Sequence, residues 1–175
     1  MILTGNEIRK QVKNGTIVID PFNEDQINPN SYNYRLGDQF SQVPELLSLG
    51  HKDHETILQD IPEDGLQLEP GFIYLGNTYE VIGSSEYVTL LIGRSSVARL
   101  GLFLQISADL GNLGPAHKWT LELTCVQPVI VYPRMKIGQV SFWVPTGEIE
   151  EYAGSYTQYD VPTHSIYDLL LRKNQ

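Results

Sequence analysis

Trp119-Thr120-Leu121-Glu122-Leu123-Thr124, Val129-Ile130-Val131-Tyr132 and Gln139-Val140-Ser141-Phe142-Trp143 are three short extended runs, interrupted by Pro133 and closed by Pro145. Their β-branched and aromatic residues suit strands, and each run is too short to be an amphipathic helix. The same pattern recurs towards the N-terminus in Thr16–Ile19, Phe72–Leu75, Tyr87–Ile92 and Leu102–Ile106, with Pro70-Gly71, Gly93 and Gly114-Pro115 as punctuation. Many short strands at regular spacing predict an all-β sandwich or barrel and argue against an α/β sheet. One helix stands apart. Thr4-Gly5-Asn6-Glu7 reads as a capping box, Ile8 and Val12 follow at helical spacing, and Gly15 is a stop signal, so a short helix is expected over residues 5–14. Residues 42–64 are polar and mixed and read as a long loop, and a weak helical signal lies near Ser165–Leu171.

The length of 175 residues suits one domain spanning the whole chain, and 41% apolar residues suffice for a real core. Twelve basic against 21 acidic side chains leave a formal charge of −9. With no Lys/Arg cluster, nucleic acid is not an expected partner. A few arginines can still form a local pocket for a small anion. No apolar run approaches the roughly 20 residues of a membrane helix. The opening Met1-Ile2-Leu3-Thr4 lacks the features of a signal peptide. Cys125 is the single cysteine, which excludes an internal disulfide. Together these features predict a cytoplasmic protein with no membrane partner.

Three groups of residues bear on chemistry. A zinc-hydroxide deaminase needs a His-x-Glu and a Pro-Cys-x-x-Cys, which one cysteine cannot supply. His51 and His54, followed by Glu55, sit in the polar excursion without an evident third ligand and read as solvated loop. His117 and His164 are isolated and read as surface or interface residues. The second group is Gly93-Arg94-Ser95-Ser96-Val97-Ala98-Arg99-Leu100-Gly101. Here a strand runs into a polar segment offering two hydroxyls and two guanidiniums, a donor set suited to phosphate. The same segment reads equally as a connection with an incidental charged surface. The third is Glu122, which alternation places on one face with Thr120 and Thr124, opposite Leu121 and Leu123. That face is either the polar outside of a half-buried strand or the seat of a reactive carboxylate.

Taken together, these segments resemble the dCTP deaminase branch of the dUTPase-like superfamily. Gly93–Gly101 matches its central motif almost residue for residue, and Thr120-Leu121-Glu122 looks like its catalytic strand at the family's distance without a gap. Met1–Thr4 and Asn28–Gly37 are similar to its N-terminal part. Ile137–Phe142, Gly154-Ser155-Tyr156 and Ser165-Ile166-Tyr167 are similar to its C-terminal part. The resemblance implies a distorted jelly-roll or β-barrel of dUTPase-like type with a short N-terminal helix. It also implies a homotrimer with sites at subunit interfaces, a C-terminal arm over about residues 152–175 that closes on the nucleotide, magnesium carried with the phosphates, and no zinc. By the same resemblance Glu122 is the catalytic acid–base, Ser95 holds the nucleophilic water, and Arg99 steadies the carboxylate and base. Arg94, Ser96, Asn112, Thr120, Leu121, Tyr152, Tyr156 and Gln158 bind the pyrimidine deoxynucleotide. The leading expectation is metal-independent deamination of dCTP to dUTP and ammonia. The alternatives are a bifunctional enzyme forming dUMP, and a relative acting on a cytidine monophosphate or modified cytidine nucleotide.

The chain departs from that family in three places. Asn112 stands where the family usually has an aspartate, and an amide cannot act as a base, which counts against phosphoanhydride cleavage. Pro115-Ala116-His117-Lys118 replaces a turn usually rich in glycine or aromatics, so His117 and Lys118 are candidates for new contacts to the base or a neighbouring subunit. Ser155 replaces the lysine expected before Tyr156, which should weaken triphosphate affinity.

Overall fold

A computed structural model describes residues 1–43, 57–105, 107–114, 116–154 and 159–165. The N-terminal helix α1 covers Gly5–Asn14, with the boundaries expected from the sequence. The Thr4 hydroxyl accepts the Glu7 N–H at 3.4 Å, and Gly15, at φ 80°, closes the other end by donating to the Gln11 and Val12 carbonyls. The strands that follow are β1 (Ile17–Asp20), β2 (Ile27–Asn28), β3 (Ser31–Arg35), β4 (Gln39–Gln42), β5 (Gln59–Asp60), β6 (Leu66–Leu68), β7 (Tyr74–Asn77), β8 (Val81–Ser84) and β9 (Val88–Gly93). A one-turn helix α2 (Ser95–Ala98) separates these from β10 (Leu102–Leu104), β11 (Leu110–Gly111), β12 (Thr120–Cys125), β13 (Val129–Val131) and β14 (Lys136–Trp143).

Two five-stranded antiparallel sheets dominate, ordered β10-β12-β7-β4-β5 and β11-β9-β14-β3-β2. The pairs β1-β8 and β13-β6 form two small ribbons. The non-sequential neighbours are those of a jelly-roll-like sandwich. The ladders stay open at β10, β5, β11 and β2, so the expected all-β fold takes its sandwich form without a closed barrel among the described residues. Tyr32, Tyr34, Leu91, Val140 and Phe142 from one sheet and Tyr74, Leu102, Leu104, Leu121 and Leu123 from the other are buried in one core. A side chain at Gly138 would collide with the Tyr34 ring, and the β14–β3 register shifts between Lys136 and Gly138 at that point. Among the described residues no helix is long and apolar enough to cross a membrane.

Several sequence expectations need correction. The strand expected at 72–75 begins at Tyr74, because the Pro70-Gly71 turn, with Gly71 at φ 89°, takes up the first two residues. The strand expected to reach Ile106 ends at Leu104, because Gln105 turns to φ 49°. The loop expected over 42–64 contains β5 and the buried Ile61, while residues 44–56, with His51 and His54, lie outside the described residues. Of the helical signal near 165–171, residues 166–171 also lie outside them. Strand β3 was hidden in a polar run. Its Ser31 and Asn33 are buried because the Ser31 hydroxyl bonds Gln139 at 2.7 Å and the Asn33 amide bonds Asn28 at 3.2 Å.

Candidate active site

Glu122 lies in the middle of β12, whose burial alternates so that Leu121, Leu123 and Cys125 fill the core while Thr120, Glu122 and Thr124 share the other face. The face is half-buried, and burial raises the Glu122 carboxyl above the ordinary carboxylate range, opposed only by its own backbone N–H. Among the described residues no side chain forms an ion pair or hydrogen bond with this carboxylate, while its charge, after burial, helps push the Tyr34 phenol up. A carboxyl raised by burial, with free acceptor capacity, is equipped to take a proton and return it.

The β9-α2-β10 corner carries the central motif. Arg94 caps α2, and its guanidinium donates to the Lys136 carbonyl at 3.2 Å. Ser95, Ser96 and Arg99 are exposed. Val97 is buried and anchors the turn, so the four polar side chains are held outward on a fixed corner. Strand β10 joins this corner to β12 through the pairs Leu102↔Cys125, Phe103↔Thr124 and Leu104↔Leu123. Among the described residues no hydrogen bond or ion pair links Glu122 with Arg94, Ser95 or Arg99 in the same chain.

A cleft of about 500 Å³ opens between residues 110–113 and 150–153, with Val88 in its wall. It brings Asn112 and Tyr152 together, and the Tyr152 N–H donates to the Leu113 carbonyl at 2.8 Å. Glu150 and Glu151 also line it. Leu121 is wholly buried, so any part it takes in binding falls to its backbone. The Thr120 hydroxyl accepts the Thr163 N–H at 3.3 Å. Ser155, Tyr156 and Gln158 lie outside the described residues.

The arm returns at residues 159–165 and lies along β4, β7 and β12. Asn77 donates to the Asp160 carbonyl at 3.0 Å, the Lys118 N–H to the Asp160 carboxylate at 3.3 Å, and Ser41 pairs with His164 at 2.9 Å. His164 is therefore buried, contrary to the surface placement expected for it. His117 is buried too. Its Nδ1 meets the Lys118 carbonyl at 2.9 Å and its ring packs 4.3 Å from Trp119, so its contacts are internal. Sequence reasoning missed Gln105, whose side chain bonds the Glu122 backbone. It also missed Glu80, fully buried and held by Arg35. Gln105 reads as an ordinary strand residue, and Glu80 has no partner nearby in sequence.

Residues 2–144 match the family model described as dCTP deaminase-like. A protein from Clostridium beijerinckii named "dCTP deaminase, dUMP-forming" is 45% identical over 157 residues, covering 89% of this chain and 90% of its own. One from Rhodopirellula baltica named "dCTP deaminase" is 41% identical over 158 residues, covering 90% of this chain and 79% of its own. The crystal structure of 2'-deoxycytidine 5'-triphosphate deaminase from Agrobacterium tumefaciens matches 82% of this chain with a TM-score of 0.65 at 20% identity. This chain spans about half of that protein, 48% of its length, and the likeness establishes the fold.

Proposed function

This chain belongs to the dCTP deaminase-like family, and from that premise we propose that it hydrolyses dCTP at C4 and carries the product on to dUMP. The observation that carries the first step is the half-buried Glu122 carboxyl on the outer face of β12, which no side chain among the described residues pairs. Water adds to C4, N3 gains a proton, and ammonia leaves. One carboxyl serves each transfer: it takes a proton from the water and delivers it to N3, then takes the proton of the new C4 hydroxyl and delivers it to the departing amine. In this reading Ser95 orients the water, Arg99 steadies the base region, and Arg94 and Ser96 hold phosphate. Asn112 and Tyr152 face the sugar from the cleft they share, with Tyr156 and Gln158 on the arm. Magnesium enters with the triphosphate, taking its ligands from phosphate oxygens and water.

The second step, attack of a further water on the α-phosphorus with release of pyrophosphate, is supported by the relatives named dUMP-forming. Asn112 favours a second reading in which the reaction stops at dUTP, since an amide orients water but takes no proton from it. Among the described residues no bond joins Glu122 to the Ser95–Arg99 corner, and we place the two on neighbouring subunits of a homotrimer, one supplying the carboxylate and the other the corner. Exposed Leu100, Phe103 and Val126 beside the corner offer the apolar surface for such a contact. We place the enzyme in the cytoplasm, where its substrate is made.

Incubation of the purified protein with dCTP and magnesium, resolving dUTP, dUMP, ammonia and pyrophosphate, tests both steps. Ammonia with equal pyrophosphate and dUMP is expected. Ammonia with dUTP alone would establish the second reading, and no ammonia would refute the deaminase.

A further inference from the structure

Strand β10 leaves β12 in an unusual way. After Leu104↔Leu123 the next opposed residues are Gln105 and Glu122. At the hydrogen-bonded positions of an antiparallel pair, which alternate with non-bonded ones, the two opposed residues exchange both backbone bonds. Here the Gln105 N–H donates to the Glu122 carbonyl at 3.3 Å, but the return bond is replaced: the Glu122 N–H donates to the Gln105 side-chain Oε1 at 2.8 Å. The cause is backbone geometry. Gln105 sits at φ 49°, a left-handed conformation uncommon outside glycine, asparagine and aspartate, and the strand ends before it, at Leu104. The other end of the same amide, Nε2, donates to the Ala108 carbonyl at 3.2 Å. Gln105 is buried, at 7% exposure, although simple alternation after Leu104 would turn it outward.

We propose that Gln105 is the positioning residue of the site: its buried amide takes up the Glu122 N–H and ties β12 to the turn at Ala108, fixing the place and burial of the Glu122 carboxylate beside the reacting base. The inference rests on the deaminase reading for what the carboxylate does, and on the bonds alone for how it is held. Without the amide, the Glu122 N–H, now shared between Gln105 and its own carboxylate, turns wholly to the carboxylate, and water gains access from the β10 side. Both changes favour the charged carboxylate, so they act in the same direction. Around this face the titratable and charged groups are Tyr34, whose phenol feels the Glu122 charge, and, towards the arm, Lys118, Asp160 and His164. All four are unchanged in the variants below and cancel in the comparison.

The test is a carbon-13 NMR titration of the Glu122 carboxyl, assigned with Glu122→Gln, in the parent, Gln105→Ala, Gln105→Gly and Gln105→Glu, with dCTP turnover measured on the same samples. Gln105→Gly removes the amide while relieving the left-handed backbone, which keeps the comparison valid if the alanine variant folds poorly. The alanine and glycine variants should lower the Glu122 titration point towards the ordinary carboxylate value. Gln105→Glu should move it up by like-charge repulsion, an opposition of sign that loss of packing does not produce. Turnover in the alanine and glycine variants should fall about 10–10²-fold with KM within about threefold, as expected for a displaced catalytic group. A Glu122 titration that coincides in parent, alanine and glycine variants overturns the proposal. A parent that never turns over dCTP refutes the deaminase reading instead, and the titration still decides whether Gln105 sets the carboxylate.

Discussion

Glu122→Gln separates chemistry from folding, because the two should move in opposite directions. The substitution keeps the size of the side chain and removes its ability to take a proton. Positioned proton transfer contributes about 10²–10⁴-fold, so turnover of dCTP should fall by that factor, equivalent to about 3–5 kcal/mol of barrier. KM should change little, since the carboxylate holds the reacting water and base edge and not the phosphates. Stability should rise. Burial raises the Glu122 carboxyl in the folded chain, so the folded state binds its proton more tightly than the unfolded state. An acid with this sign costs nothing below its unfolded value. Its cost grows as pH rises through the unfolded value and is complete above the folded one. The neutral amide escapes it. Because the site is only half-buried, solvent screening caps the gain at about 1 kcal/mol, which for a domain of this size raises Tm by about 2–4 °C. Ammonia release with coupled detection gives the first number. Thermal unfolding at pH 4 and pH 7.5 gives the second, with the variant's advantage appearing only at the higher pH. Turnover within threefold of the parent would refute the assignment of Glu122. A variant equally advantaged at both pH values would refute burial as the cause of the raised carboxyl.

Burial of Glu122 also sets the pH profile of the parent: the acid limb of kcat should fall at a pH above the ordinary glutamate value of about 4.3, and a limb at or below that value would contradict the geometry. Arg94→Ala should raise KM more than it lowers kcat, because it removes a phosphate contact shared by ground and transition states; steady-state kinetics on dCTP will show the split. Arg35→Ala should cost about 3–5 kcal/mol in urea unfolding, because it strands a buried charge, and the double variant with Glu80→Gln should recover part of that loss. Asn112→Asp should speed pyrophosphate release from added dUTP if the residue faces the α-phosphate water, and an unchanged rate would separate Asn112 from the second step.

The central motif and the Glu122 strand were legible because local pattern carried them. Alternation around Glu122 gave the correct face, and Thr4 and Gly15 bracketed α1 to the residue. What stayed hidden is non-local. Strand β3 reads as a turn-rich polar run, and only its cross-strand partners Gln139 and Asn28 make Ser31 and Asn33 buried residues. Gln105 reads as a strand continuing to Ile106, because a left-handed glutamine has no sequence signature; the amide earns its place through Glu122 and Ala108. His164 is 123 positions from Ser41, its partner in the core of the arm contact, so no window of sequence could have moved it from the surface.

Glu80, fully buried, and Glu122, half-buried, differ in the way that separates a structural acid from the one we propose as reactive. Glu80 is fully buried, yet its oxygens accept from Arg35 Nε at 2.7 Å, the Arg35 N–H at 2.9 Å and Gln26 Nε2 at 3.1 Å. Its charge is answered on every side, and protonating it would abandon three donors. That arrangement fixes β3 against the turn before β8 and leaves nothing for a substrate to use. Glu122 is less buried, but among the described residues no side chain answers its charge, so burial acts on it unopposed except by its own N–H. Depth alone would have selected Glu80 as the candidate reactive residue. Unanswered acceptor capacity selects Glu122, and it does so on the strand that also bonds the returning arm at Thr163 and the Gln105 side chain. A carboxylate left in that condition destabilises the fold, a cost that the proposed reading explains by a bound base and its water supplying the missing partners.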